Sequence, residues 1–120
     1  MNKKTLVFGA SLKSERYANM AMRRLVNAEH EVVAFGLRKG EVAGVAIDNS
    51  LLDYSDIDTV TLYLGARHQS AYYEYIISLN PKRVIFNPGT ENPEFQELLN
   101  QHQIEFENAC TLVLLGINQY

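Results

Sequence analysis

The chain has 120 residues, 47% of them apolar and 21% charged, with a formal net charge of −3 and a pI near 5.6. This size predicts one domain around a single core, and the acidic balance argues against nucleic acid as a general partner, which demands a basic face. No apolar run approaches the roughly 18 to 20 residues of a membrane span, no secretory leader is visible, and the lone Cys110 can form no internal disulfide, so a cytoplasmic protein without membrane contact is expected.

Strand-like and helix-like periods alternate along the chain. Lys4–Phe8 reads as a buried strand that breaks at Gly9-Ala10-Ser11, and a helix opens at Tyr17 and runs to Ala28, with Met20, Met22, Leu25 and Val26 on its apolar side. Glu31–Phe35 is a second strand, ended by Gly36. Val45–Ile47 predicts a short edge strand, and Leu51-Leu52 a helical turn tucked beneath it. Asp58–Leu64 is a strand rich in Val, Thr and Tyr that stops at Gly65. His68–Leu79 predicts a helix with Tyr72, Tyr75, Ile76 and Leu79 facing the sheet, stopped by Asn80-Pro81. Arg83–Phe86 is the next strand, and Asn87-Pro88-Gly89-Thr90 the turn after it. Glu91–His102 is a helix carrying Phe95, Leu98 and Leu99. Ile104–Phe106 is a last strand and Ala109–Leu115 a terminal helix.

This alternation predicts an α/β fold: a three-layer, doubly wound, mostly parallel sheet of Rossmann-like type in one domain spanning residues 1–120. Counting the six predicted strands in chain order, the expected arrangement is 3-2-1-4-5-6, or a variant lacking the edge strand. Ligands of such sheets bind beyond the carboxyl ends of the strands, where the first and fourth strands part. The loops at that edge are 9–16, 36–41, 65–68, 87–91 and 107–111.

The first of these loops is the most informative. A strand that ends on glycine and turns into a helix aims free N–H groups and the positive end of a dipole at one spot, which suits a phosphate. The dinucleotide fingerprint places glycines where this chain has Gly9, Ser11 and Ser14, so one glycine of three is present. After the second strand, where a dinucleotide enzyme carries an acid for the ribose hydroxyls, the chain reads Gly36-Leu37-Arg38-Lys39-Gly40. Two positive charges there suit a ribose bearing a phosphate, as in coenzyme A or NADP; the alternative is a solvated basic turn. Lys13, Arg16 and Arg67 add charge to the same rim. His30 and His102 fall at the opposite edge and read as solvated turn residues. His68 reads as a helix-start residue facing water, with no carboxylate spaced to orient it and no second histidine to make a metal pair. Cys110 reads as a small buried side chain. No catalytic pair and no metal cluster is predicted.

Val-Phe-Gly-Ala-Ser at 7–11, His-Glu-Val-Val at 30–33, Val-Ala-Gly-Val-Ala at 42–46, Asp-Thr-Val-Thr-Leu-Tyr at 58–63 and Glu-Asn-Ala-Cys-Thr-Leu-Val at 107–113 carry a resemblance. Nearly the whole chain resembles the small stand-alone CoA-binding domain proteins, which are similar to the CoA-binding domain of the succinyl-CoA ligase α subunit. The resemblance implies that Gly9, Ala10 and Ser11, with Lys13, Ser14, Arg16 and Tyr17, seat the CoA pyrophosphate. It implies that Arg38 or Lys39, beside Gly36, stands near the phosphorylated ribose, that Leu64, Gly65, Ala66 and Arg67 flank adenine, and that Asn87, Pro88 and Gly89 border the pantetheine arm. The ligase loop has more glycines than this one, and the ligase's histidine-bearing active site is absent, so ligase chemistry is not implied. The expected function is non-catalytic binding of coenzyme A or an acyl-CoA. The alternatives are an NADP-binding subunit of an oxidoreductase, or a protein-interaction module that has lost its ligand.

Overall fold

The computed structural model describes residues 2–120. Seven strands form one sheet: β1 (Thr5–Phe8), β2 (Val32–Phe35), β3 (Gly40–Val42), β4 (Val45–Asp48), β5 (Thr59–Leu62), β6 (Arg83–Phe86) and β7 (Glu105–Asn108), in the order β3-β4-β2-β1-β5-β6-β7. Every pairing is parallel except β3 with β4. Without β3, the order is the predicted one.

The helices are α1 (Tyr17–Asn27), α2 (Tyr73–Ser78), α3 (Pro93–Gln101) and α4 (Thr111–Gly116). Alternation along the central strand sorts them into two layers. Leu6 and Phe8 of β1 share one buried cluster with Val60, Leu62, Val84 and Phe86, covered by Ile76 of α2 and by Phe95 and Leu99 of α3. Val7 points the other way, with Ala34 and Ile47, beneath Ala18, Met22 and Leu25 of α1 and beside Leu115 of α4. A strand buried on both faces needs no polar side, which is why β1, β5 and β6 read as short continuous runs of buried residues.

Three expectations are corrected. The loop after β2 is shorter than 36–41, because Gly40 and Glu41 belong to β3, which pairs with β4 as an antiparallel hairpin. Its two-residue turn places Ala43 at φ 53° and Gly44 at φ 80°, the positive-φ pair that matches strand twist. Alanine rarely takes that conformation, so the turn carried only a weak signal. Leu51-Leu52 forms no helical turn. Both residues are exposed, and their segment is held by Tyr54, whose hydroxyl donates to Asp48 Oδ2 at 2.7 Å, and by Tyr75, whose hydroxyl donates to the Leu52 carbonyl.

The predicted helix over His68–Leu79 is broken into two tight turns, Ala66–His68 and Ser70–Tyr72, followed by the short α2. The side chain of Gln69 is buried and bonded to backbone carbonyls of two loops, and Tyr72 leaves helical geometry at φ −116°, ψ 3°. The predicted apolar face still packs: Tyr72, Tyr75, Ile76 and Leu79 all join the cluster around Phe8. Elsewhere the boundaries moved by a few residues. Asn92 caps α3 by accepting from the Phe95 amide, with Pro93 opening the helix.

At the amino ends of the strands His30 is half-buried, not solvated. Its Nδ1 accepts from the Lys3 amide at 2.9 Å and its ring lies 5.0 Å from that of Tyr120. Tyr120 shares a 2.6 Å hydrogen bond with Thr5 Oγ1, and the Arg83 guanidinium sits 4.6 Å above its ring. His102 is exposed at the end of α3, as expected. No helix among the described residues is long and apolar enough to cross a membrane.

Candidate functional site

Beyond the carboxyl ends of β1, β2, β5 and β6 lies a cavity of about 820 Å³, within the range of small-molecule sites, roughly 300 to 1,000 Å³. Its origin is topological. The chain leaves β1 for β2 on one side and reaches β5 on the other, so the loops after β1 and β5 diverge and leave a crevice.

The loop after β1 is built around one carbonyl. The amides of Gly9 and Ala10 both donate to Phe35 O, at 2.9 and 2.8 Å. Gly9 stands at φ 101°, and a Cβ there would lie 3.1 Å from the Tyr63 carbonyl carbon. A Cβ on Gly36 would collide with the Ala10 carbonyl oxygen. These glycines let the ends of β1, β2 and β5 approach one another, and the first two amides of the loop are spent inside the protein. The free donors lie further along. Among the described residues nothing accepts from the amides of Ser11 and Leu12, or from Tyr17, Ala18 and Asn19 in the first turn of α1. That turn carries no acid and no side-chain cap, so its dipole is uncompensated. Ser11 shapes the loop: its Oγ accepts from the Lys13 amide at 3.1 Å and its carbonyl from Asn19 Nδ2 at 3.0 Å.

The charge of the lining is one-sided. Lys13, Arg16, Arg38 and Arg67 face the cavity, and among the described residues no Asp or Glu does, although the chain has 14 acids against 11 Lys and Arg. His68 joins them on the lining and accepts from Arg67 Nε at 3.2 Å through Nε2. Clustering of like charge with no internal partner is unfavourable without an anion to receive it.

The opposite side has two walls, from the loops after β5 and β6. Leu64 and Gly65 line the first, and Pro88, Gly89 and Thr90 the second. Gly65 is at φ −62°, open to any residue, and a Cβ there would meet nothing within 4 Å. No contact within the protein requires glycine at that point on the cavity surface. Gly89 does require one, at φ 93°.

Of the residues expected at the site, the cavity brings together Gly9, Ala10, Ser11, Lys13, Arg16 and Tyr17 from the first loop. It adds Gly36 and Arg38 from the second, and Leu64, Gly65, Arg67, Pro88 and Gly89 from the far walls. Four fall outside the lining. Ser14 is exposed, its carbonyl held by Arg23 at 3.3 Å; Lys39 is exposed beside the hairpin, and Ala66 lies in the tight turn behind Gly65. Asn87 is buried under the floor, where Nδ2 donates to Thr61 Oγ1 at 2.7 Å and Leu62 O at 2.8 Å, and Oδ1 accepts from the Thr111 amide at 2.9 Å. Those bonds use both of its N–H donors, so it is a structural lock and not a border of the cavity. Cys110 is half-buried, more exposed than expected.

The lining residues that sequence reasoning missed are mostly apolar. Leu12 and Leu37 stand exposed at the mouth, and Phe35, Tyr63 and Tyr72 form walls. Tyr63 and Tyr72 read as strand and core residues, and only the sheet twist brings them to the edge. Burial pushes the Tyr63 hydroxyl up to about 12, and among the described residues that buried oxygen has no hydrogen-bond partner.

The sequence profile of the CoA binding domain matches residues 3–116. The chain belongs to this CoA-binding domain family. Solved structures share this fold. One, an uncharacterized protein, is 47% identical, covers 100% of this chain and 99% of its own, and superposes with a TM-score of 0.97. A hypothetical protein from Pyrococcus horikoshii OT3 is 31% identical over 93% of this chain and 80% of its own, with a TM-score of 0.82. A Thermus thermophilus protein, 21% identical over 99% of this chain and 91% of its own, shares the fold at a TM-score of 0.86. No functionally curated protein matches.

Proposed function

We propose that this CoA-binding domain holds coenzyme A or an acyl-CoA in the cavity at the carboxyl edge of the sheet, without catalysing a reaction. The observation that carries the reading is the lining of Lys13, Arg16, Arg38 and Arg67 with no acid among them, set against an open helix N-terminus in an acidic protein. The pyrophosphate belongs at the free amides of Ser11, Leu12, Tyr17, Ala18 and Asn19, with the side chains of Lys13 and Arg16, further along the loop than Gly9 and Ala10. Arg38 takes the phosphorylated ribose, Leu64–Arg67 flank adenine, and Pro88 and Gly89 border the pantetheine arm. Among the lining side chains suited to proton transfer are His68 and Tyr63. His68 Nε2 is occupied by Arg67, and burial holds Tyr63 protonated. The role that suits such a site is carriage or sensing of the cofactor in the cytoplasm.

The test is a ligand panel on the purified protein, read by thermal shift and calorimetry: CoA, acetyl-CoA, dephospho-CoA, NADP and NAD. A ligand at a hundred times its Kd stabilises the fold by about 2.7 kcal/mol, several degrees for a domain of this size. CoA and acetyl-CoA should stabilise most. Arg38→Ala should weaken CoA by about 1 to 3 kcal/mol, the range of charge-assisted hydrogen bonds, and leave dephospho-CoA nearly unchanged; Lys39→Ala should affect neither. Stronger stabilisation by NAD than by CoA sinks the reading, and preference for NADP over CoA supports the oxidoreductase-subunit alternative.

A further inference from the structure

We infer that Gln69 is a positioning residue of this site: it sets the separation of the two walls that receive the two ends of the ligand, an inference that rests on the CoA reading above. The loop after β5 supplies Leu64, Gly65 and Arg67 to the cavity, and the loop after β6 supplies Pro88, Gly89 and Thr90. Among the described residues no backbone hydrogen bond joins loop 64–69 to loop 87–92. The join is a side chain. Gln69 is 1% exposed, and its Nε2 donates to Leu64 O at 2.9 Å and to Thr90 O at 2.8 Å, one carbonyl from each wall.

The orientation of that amide is determined. Gln69 Oε1 accepts from Asn92 Nδ2 at 3.0 Å. The second N–H of Asn92 goes to Tyr73 Oη at 2.8 Å, and its Oδ1 accepts from the Phe95 amide at 3.2 Å. Each amide N–H in this set has an acceptor, and turning Gln69 over would set its oxygen against two carbonyls. The row continues under the floor. Thr90 donates to Asn87 O through both its amide and its hydroxyl, and Asn87 reaches Thr61 and the Thr111 amide. A buried polar row whose side-chain amide donors are all satisfied is rigid. Here it ties α3 to α4 across the sheet and passes between the two walls at Gln69. α3 does not need Gln69 for its cap, because Asn92 supplies that from its own oxygen. What the bridge adds is a fixed distance between Leu64 and Thr90.

The test uses Gln69→Glu and Gln69→Met in the full chain, with calorimetry on CoA and on two fragments, 3′,5′-ADP and pantetheine. Glu replaces both donors with a carboxylate against two carbonyls. Met removes the donors at similar volume without charge, and keeps the experiment readable if the Glu variant does not fold. CoA affinity should fall about tenfold or more, the equivalent of losing about 1.4 kcal/mol. Each fragment should stay within about twofold, because a ligand touching one wall does not sense the distance between two. Hydrogen exchange should quicken at amides 65–68 and 89–92 while β1 and β2 keep their protection. Equal losses for CoA and 3′,5′-ADP, or an unchanged CoA affinity in a folded variant, overturn the inference. If the unaltered protein binds neither CoA nor the fragments, the CoA reading fails instead. The exchange data then decide the role of Gln69: quickening confined to the two loops upholds it as the clamp between the walls, and no change overturns it.

Discussion

Two glycines at the cavity differ in what they answer to. Gly9 answers to the protein: its positive φ and the nearby Tyr63 and Leu64 backbone atoms exclude a side chain whatever binds. Gly9→Val therefore loses the fold along with the site and says nothing about a phosphate. Gly65 has ordinary dihedrals and open space where its Cβ would be, so only a ligand can demand its smallness. Gly65→Val should leave the melting temperature close to that of the parent, since changes away from packed contacts stay within about 0.5 kcal/mol. It should cost CoA at least tenfold in Kd, about 1.4 kcal/mol. A folded Gly65→Val protein that binds CoA as before would place the adenine somewhere else.

At the level of elements, legibility followed how local the determining force was. The first and middle strands were readable because apolar runs ended by a glycine fix them within a few residues, and α1 because its apolar positions repeat at helical spacing. The strand order followed from handedness and the buried pattern. Of the β3–β4 hairpin, β4 was readable at Val45–Ile47 but β3 was not, because the turn is Ala43-Gly44 and three residues are too few for a period to show. The break in the predicted helix at 68–79 was equally hidden, since it depends on Gln69 reaching a loop that lies about 20 residues away in sequence. In the site, charge and glycine positions were legible from Arg38, Lys13 and Gly65. The use of the Gly9 and Ala10 amides by Phe35 was not, because it needs the register of β1 on β2.

The connection from α1 to β2 gives a pH prediction of its own. His30 is held below its ordinary value of 6.5, first by burial and then by nearby positive charge, Lys3 and Arg83 included. Neutral imidazole is also what its Nδ1 must be to accept from the Lys3 amide. Between the lowered folded pKa and the unfolded value near 6.5, the unfolded chain binds more protons, so stability rises with pH. His30's share is complete above the unfolded value, is lost as pH falls through it, and levels off below the folded one. The urea midpoint should therefore drop between pH 7.5 and 5.5, and drop less in His30→Gln, which keeps an acceptor but cannot titrate. Identical pH responses in the two proteins would remove His30 from the account.

Over the whole molecule, the two ends of the sheet are built for different work. At the amino ends, Tyr120, Arg83, Thr5 and His30 close the structure with packed aromatic and polar contacts. At the carboxyl ends the same strands open into a cavity whose donors and charges have few partners in the protein. Strands only four residues long separate the two, so the fold can be secured at one end while the other is left free for a ligand. The polar row through Gln69 is a second, separate lock, placed at the open end.

The aromatic residues at the mouth have an optical consequence. The chain contains seven tyrosines and no tryptophan, so its ultraviolet emission is undisturbed by indole. Tyr17 opens α1 on the lining with 69% of its surface exposed, enough room for an indole without repacking the core. Tyr17→Trp installs a single indole at the site, excited where the remaining tyrosines barely absorb. Phosphates seated beside it keep its surroundings polar while the bound nucleotide quenches its emission, whereas a partner protein closing over an empty cavity shields the indole from water and shifts its emission to the blue. Titration with CoA should give quenching without a blue shift, saturating at the Kd measured by calorimetry. The direction of one spectral change thus separates a cofactor-binding domain from an interaction module of the same fold.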